Sequence, residues 1–228
     1  TVVLTAQPTA DVTVPLMSTD EGEGTVDTAG LTFTPDNWDT AQTVTVTGVD
    51  DDLIDGNVGY TVELLAAMSD DSEFDGFDPA DVSVTNEDND TAEVLVDPIA
   101  GLVTTEAGAS ASFDVMLSAQ PQADVDIVVT TLDDTEGLVS LDGGAIPAAM
   151  QTLTFTSGDW DMPKTVTVVG RDDALIDGDV DYTVELANTV STDSDFNDLT
   201  VDNVSLTNTD NDQPGFSVLD GPVTTSEP

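Results

Sequence analysis

Histidine and cysteine are absent from the 228-residue chain, and two basic residues stand against 47 acidic ones. Without thiols no disulfide holds the fold, and without either residue zinc loses its usual nitrogen and sulfur ligands. A formal charge of −45 repels phosphate backbones and anionic headgroups, which argues against nucleic acid as a partner and favours cations. Aromatic residues amount to 5%. High net charge with few aromatics is also the composition of disordered chains, but the β-patterned repeats described below argue against disorder. No apolar run approaches the ~20 residues of a membrane-spanning helix, so no membrane insertion is expected. The chain opens in a strand-like stretch without a signal-peptide pattern and reads as an internal piece of a longer protein. A convincing nucleophile–base pair and a glycine-rich phosphate loop are missing as well, so no enzymatic activity is expected.

What the chain does have is an internal duplication. LTFTPDNWDTAQTVTVTGVDDDLIDGNVGYTVEL at 31–64 returns as LTFTSGDWDMPKTVTVVGRDDALIDGDVDYTVEL at 153–186, an offset of 122. Upstream, LTAQPTADV at 4–12 matches LSAQPQADV at 117–125 at an offset of 113. The second copy therefore carries nine extra residues between Gly137 and Leu153, around SLDGGAIPA, expected to form a longer loop. Within each copy apolar residues alternate, as in Val44 and Val46 between threonines or Tyr60, Val62 and Leu64, and turn formers gather between the runs. This period of two predicts an all-β chain of tandem immunoglobulin-like antiparallel β-sandwiches, each of about seven strands.

The boundaries read as a first repeat at 1–90 lacking its opening strand, a complete second repeat at 91–212, and one further strand at 213–228. That last stretch ends in VTTSEP, similar to VTTEAG at 103–108 where the second repeat opens. Two readings stay open. Neighbouring repeats of a longer array supply the missing strand, or the terminal strand of one subunit completes an identical subunit and builds a filament.

The acidic residues cluster at matching places. GVDDDLIDGNV at 48–58 and GRDDALIDGDV at 170–180 precede the YTVEL strands, and the strand after those runs into NEDND at 86–90 or NTDND at 208–212. Carboxylates from separate turns are expected to converge at one end of each sandwich. Many oxygen ligands without nitrogen or sulfur suit Ca²⁺ better than Mg²⁺. An EF-hand register fails, because Leu53 or Leu175 falls at the third ligand position. Scattered aspartates such as Asp36, Asp39, Asp70, Asp71 and Asp193 read as turn caps. Trp38 and Trp160, at matching positions, read as packing over a turn, and Lys164 and Arg171 as local partners of carboxylates.

With TEAG at 105–108, DDALIDGDVDYTVEL at 172–186 and NTDND at 208–212, the chain resembles the Calx-beta domains. These are immunoglobulin-like sandwiches found in sodium–calcium exchangers, in an integrin and, as tandem copies, in large bacterial surface proteins and adhesins. The resemblance implies metal ligands from an opening-strand glutamate, a middle-loop aspartate, the acidic loop and the acidic tail. Carried over by position, these are Glu106, Asp134, Asp172, Asp173, Asp177, Asp210 and Asp212 in the second repeat. In the first they are Asp20, Asp50, Asp51, Asp55, Asp88 and Asp90, with the glutamate missing unless Glu227 is donated from elsewhere. The resemblance further implies calcium as the bound ion, a secreted or cell-surface setting, and an extender or adhesive role toward a cell-surface or matrix target.

Overall fold

The computed structural model describes residues 1–141, 146–217 and 221, and every regular element among them is a strand. The contacts divide the chain into two units between Asp90 and Thr91. VTTSEP at 223–228, with Glu227, lies outside the described residues.

The first unit contains β1 (Val12–Ser18), β2 (Gly24–Val26), β3 (Gly30–Phe33), β4 (Val46–Gly48), β5 (Val58–Leu64), β6 (Met68–Ser69) and β7 (Val82–Asn86). One sheet runs β3-β1-β5-β7, with β6 also beside β1, and β2 pairs with β4 as a two-stranded ribbon. Alternation decides what is buried. Val12, Val14 and Leu16 of β1 turn inward with Tyr60, Val62 and Leu64 of β5, and Val26, Val44 and Val46 pack against them from the other side.

The second unit contains β8 (Val94–Asp97), β9 (Leu102–Thr105), β10 (Ser110–Leu117), β11 (Val125–Thr131), β12 (Gly137–Leu141), β13 (Met150–Phe155), β14 (Lys164–Gly170), β15 (Val180–Leu186), β16 (Val190–Ser191) and β17 (Val204–Thr209). Its sheets run β12-β14-β10-β8 and β13-β11-β15-β17-β9, with β16 beside β11. In β11, Val125, Ile127 and Val129 are fully buried, and Val166 and Val168 of β14 are equally buried in the other sheet. Fully burying each such side chain contributes ~1.5–3 kcal/mol, and a register slip of one residue would turn the whole set outward.

The architecture is the expected all-β one of tandem sandwiches, with two differences. Among the described residues the second unit has ten strands, because β8, β9 and half of β10 precede the part it shares with the first. Of these, β9 runs parallel to β17, pairing Leu102 with Leu206 and Thr105 with Thr209, so one edge departs from the antiparallel rule. The nine-residue insertion is not loop throughout. Ser140 and Leu141 extend β12, and Ala148 bridges back to Val139; residues 142–145 lie outside the described residues.

The candidate metal centres

The strand order brings five strand ends together in the second unit. Parallel pairing sets the ends of β9 and β17 side by side at Thr105 and Thr209. The antiparallel ladders place the start of β15 beside the end of β17, through Val180 and Asn208, and the start of β12 beside the end of β14, through Gly137 and Gly170. Glu106 follows β9, Glu136 precedes β12, the loop 171–179 joins β14 to β15, and Asp210–Asp212 follows β17. Gly137 makes this approach possible, since a Cβ there would lie 2.6 Å from the Tyr182 hydroxyl.

Backbone amides fix the acidic loop. The Leu175 N–H donates to Asp173 Oδ1 at 2.6 Å, and Gly178, at a φ of 79°, turns its N–H toward Asp210 Oδ2 at 2.9 Å. The Asp212 N–H donates to Asp210 Oδ1 at 2.6 Å, so Asp210 clasps loop to tail. The Asn211 N–H donates to Glu106 Oε2 at 2.8 Å, and its side-chain amide to Asp172 Oδ1 at 2.9 Å. The first unit repeats the clasp: Asp88 accepts from Gly56 and Asp90, both at 2.8 Å, and Asp51 accepts from Leu53 at 2.9 Å.

Three acidic triads result, each offering one carboxylate oxygen per residue within 4.8 Å of the others: Glu23, Asp51 and Asp55; Glu106, Asp173 and Asp212; Glu136, Asp173 and Asp177. Two oxygens bound to one calcium ion at about 2.3–2.6 Å lie at most about 5 Å apart, so these spacings suit a shared cation. Asp212 Oδ2 is buried and has no hydrogen-bond partner among the described residues, an arrangement that is costly for an anion unless a cation takes the lone pairs. The donor set is all oxygen, which matches calcium.

The electrostatics point the same way. The Asn211 N–H pulls the Glu106 pKa down, but desolvation and the charges of Asp210, Asp173 and Asp212 outweigh it and leave Glu106 above its ordinary value. Desolvation, followed by the charges of Asp210, Asp172, Asp173 and Asp177, raises Asp212. Asp90 is raised by desolvation and then by Asp88, Asp50, Asp52 and Asp51. Asp210 and Asp88 move the other way, because backbone N–H groups stabilise their charged forms.

Of the residues expected in the second repeat, Glu106, Asp173, Asp177 and Asp212 fall in the triads, Asp172 bonds Asn211, and Asp210 forms the clasp. In the first, Asp50, Asp51, Asp55, Asp88 and Asp90 line one hollow of about 190 Å³ together with Glu23. Asp20 and Asp134 are not among the converging groups. Asp20 Oδ1 accepts the Gly22 N–H at 3.0 Å in a turn, and its counterpart in the second unit is Asp133, which holds Thr135 in the same way. Asp134 presents its backbone carbonyl to Arg171, which therefore binds a carbonyl where a carboxylate partner is expected. Asp71 and Asp193 do cap turns, accepting the Glu73 and Asp195 N–H groups, both at 3.1 Å, and each also ties in a distant backbone N–H, that of Thr9 or Gln122, both at 2.7 Å.

Glu23 and Glu136 escaped sequence reasoning. Each is held by a matching asparagine, Asn86 at 3.3 Å and Asn208 at 3.1 Å. The signal was present as an EG pair repeated at the offset of 113, but only the strand order shows that it lies beside the acidic loop.

No protein-family model matches the chain. No curated protein matches it either. Among solved structures, the calcium binding domain CBD12 of CALX1.1 is similar at 13% identity and a TM-score of 0.40, over 82% of this chain and 71% of that one. CBD12 from CALX1.2 is similar at 14% and 0.38, over 85% and 74% of the two chains. Domains 4 and 5 of the S-layer protein SbsC are similar at 15% and 0.36, over 86% and 77%, and at these identities the likeness concerns the fold alone.

Proposed function

We propose that the chain is a non-catalytic pair of calcium-binding sandwich modules from a secreted or cell-surface protein, serving as an extender or adhesive region. The observation that carries this reading is the recurrence, in both units, of the same acidic loop clasped to the same acidic tail beside a glutamate held by an asparagine. Binding neutralises carboxylates that otherwise repel one another and locks the converging strand ends of a unit into one geometry. Extracellular calcium modules bind at about 10⁻⁴ to 10⁻³ M. At about a hundredfold excess over such a constant, each site adds about 2.7 kcal/mol to stability.

The test is calorimetry of metal-stripped protein titrated with calcium, with magnesium at matched ionic strength as control. Calcium is expected to raise the melting temperature selectively. Glu136→Gln is expected to weaken calcium binding more than about tenfold, whereas Asp134→Asn, outside the triads, leaves it unchanged. Equal effects of calcium and magnesium, or equal effects of the two substitutions, would remove the specific sites.

A further inference from the structure

We propose that Asn208 and Asn86 are the positioning residues of the two metal centres, neutral amides that hold a ligating glutamate and the entry of the acidic loop in register. This rests on the calcium reading and names what sets the strength of that binding.

Asn208 stands where alternation calls for an apolar residue. Along β17 the inward positions are Val204, Leu206 and Asn208, at 0%, 3% and 1% exposure. Burying an amide there is costly unless its polar atoms are paired, and here they are. Its Nδ2 donates to Glu136 Oε2 at 3.1 Å and to the Arg171 carbonyl at 3.0 Å, while its Oδ1 accepts from Thr104 Oγ1 at 3.0 Å. Since the Thr104 hydroxyl proton is spent on the amide, the Tyr182 hydroxyl, 3.0 Å from Thr104 Oγ1, is the donor in that contact. Donation therefore runs one way, from Tyr182 through Thr104 and Asn208 to the Glu136 carboxylate, and each bond polarises the next. A carboxylate and a carbonyl can only accept, so the group between them has to bring two protons.

What the amide holds is a whole triad. Glu136 is one member, and Arg171 opens the loop that bears the other two, Asp173 and Asp177. The Arg171 N–H also donates to the Glu136 carbonyl at 2.9 Å, so a backbone bond and a side-chain bond fix ligand and loop entry together. With Oε2 on the amide, the other oxygen of the buried Glu136 is left for a cation. The first unit uses the same atoms: Asn86 Nδ2 donates to Glu23 Oε2 at 3.3 Å and to the Val49 carbonyl at 2.7 Å, and the Val49 N–H to the Glu23 carbonyl at 3.0 Å. Glycine keeps the space clear in both copies, since a Cβ on Gly48 would lie 2.6 Å from Asn86 Oδ1, and one on Gly170 2.8 Å from Asn208 Oδ1. Charge and positioning predict opposite outcomes for an isosteric change. If charge alone set affinity, Asn208→Asp would strengthen binding by adding a carboxylate near the cation. If the amide positions the site, the same change weakens binding, because aspartate has no donor for Glu136 or for the Arg171 carbonyl and repels both.

The test is calorimetric calcium titration of the full 228-residue chain carrying Asp51→Asn and Asp55→Asn, which silence the first centre. Asn208→Asp is expected to weaken calcium binding more than about tenfold in that parent. In a parent that also carries Glu136→Gln, the same substitution is expected to cost less than about threefold, because the residue it acts through is already gone. Melting in chelator checks that each variant is folded. Should Asn208→Asp not fold, Asn86→Asp, at a half-buried position, is titrated in a chain whose second centre is silenced by Asp173→Asn, with the same loss expected. Binding that is unchanged or tighter in the aspartate variant overturns the proposal, as does an equal loss with and without Glu136, which a merely structural role would give. A parent that binds no calcium ends the calcium reading and this one with it, whereas a parent that binds while its asparagine variants bind equally well overturns this one alone.

Discussion

Among the described residues the single ion pair joins Lys164 and Asp159 at 2.8 Å, in a chain with only two basic side chains. The lysine also donates to the Thr154 carbonyl and lies 4.7 Å above the Phe155 ring, so one cation ties a turn to a buried aromatic. Its hydrogen bond, followed by the Thr156 N–H, pulls the Asp159 pKa from 3.8 to about 2. A carboxylate depressed on folding contributes stability that is fully present above its unfolded value and is lost as the pH falls through the folded one. Here the window runs from about 3.8 down to about 2. The aspartate side chain is 36% exposed, so solvent screening brings the contribution down to roughly 1 kcal/mol. Asp159→Asn should therefore lower the melting temperature by about 3 °C at pH 7, by much less near pH 2, and not at all below it. An equal loss at both pH values would mean that the pair acts through shape and not through charge.

The acidic loop and tail act as one element, since Asp210 accepts N–H groups from both Gly178 and Asp212. Asparagine at that position keeps one acceptor oxygen and loses the charge. Asp210→Asn should make the Gly178 and Asp212 amides exchange roughly tenfold faster in metal-free protein, and calcium should close most of that gap. Unchanged exchange would show that the loop is held by its flanking strands instead. How much of this was legible depended on the range of the signal. The duplicated YTVEL strands and the period of two state the all-β fold directly, because alternation is local to one strand. The converging Asp173, Asp177 and Asp212 were legible for the same reason, each sitting in a repeated acidic run. The parallel pairing of β9 and the role of Glu136 were not, because both depend on which strand ends meet. Asp134 shows the cost of reading by position: one residue of slip took it in place of Asp133, and neither carboxylate joins a triad.

At the scale of the whole molecule, the two units have unequal cores. Among the described residues nine buried apolar side chains belong to the first unit and 19 to the second, which span 90 and 138 residues. Burial per residue is the main favourable term, so the first unit is expected to be the weaker one. Each unit holds one tryptophan, Trp38 and Trp160, both half-buried in the same turn, which gives each its own fluorescent reporter. In dilute metal-free protein, Trp160→Phe leaves Trp38 to report the first unit, and Trp38→Phe leaves the second. The Trp38 signal is expected to melt more than about 5 °C below the Trp160 signal. Sodium chloride should raise both transitions by screening the general repulsion of 45 net negative charges, whereas under the proposed function calcium at equal ionic strength should raise them further, through the loop-and-tail clusters present in each unit. Coincident melting of the two reporters would mean that the units unfold as one cooperative body, and the difference in core would then have no separate consequence.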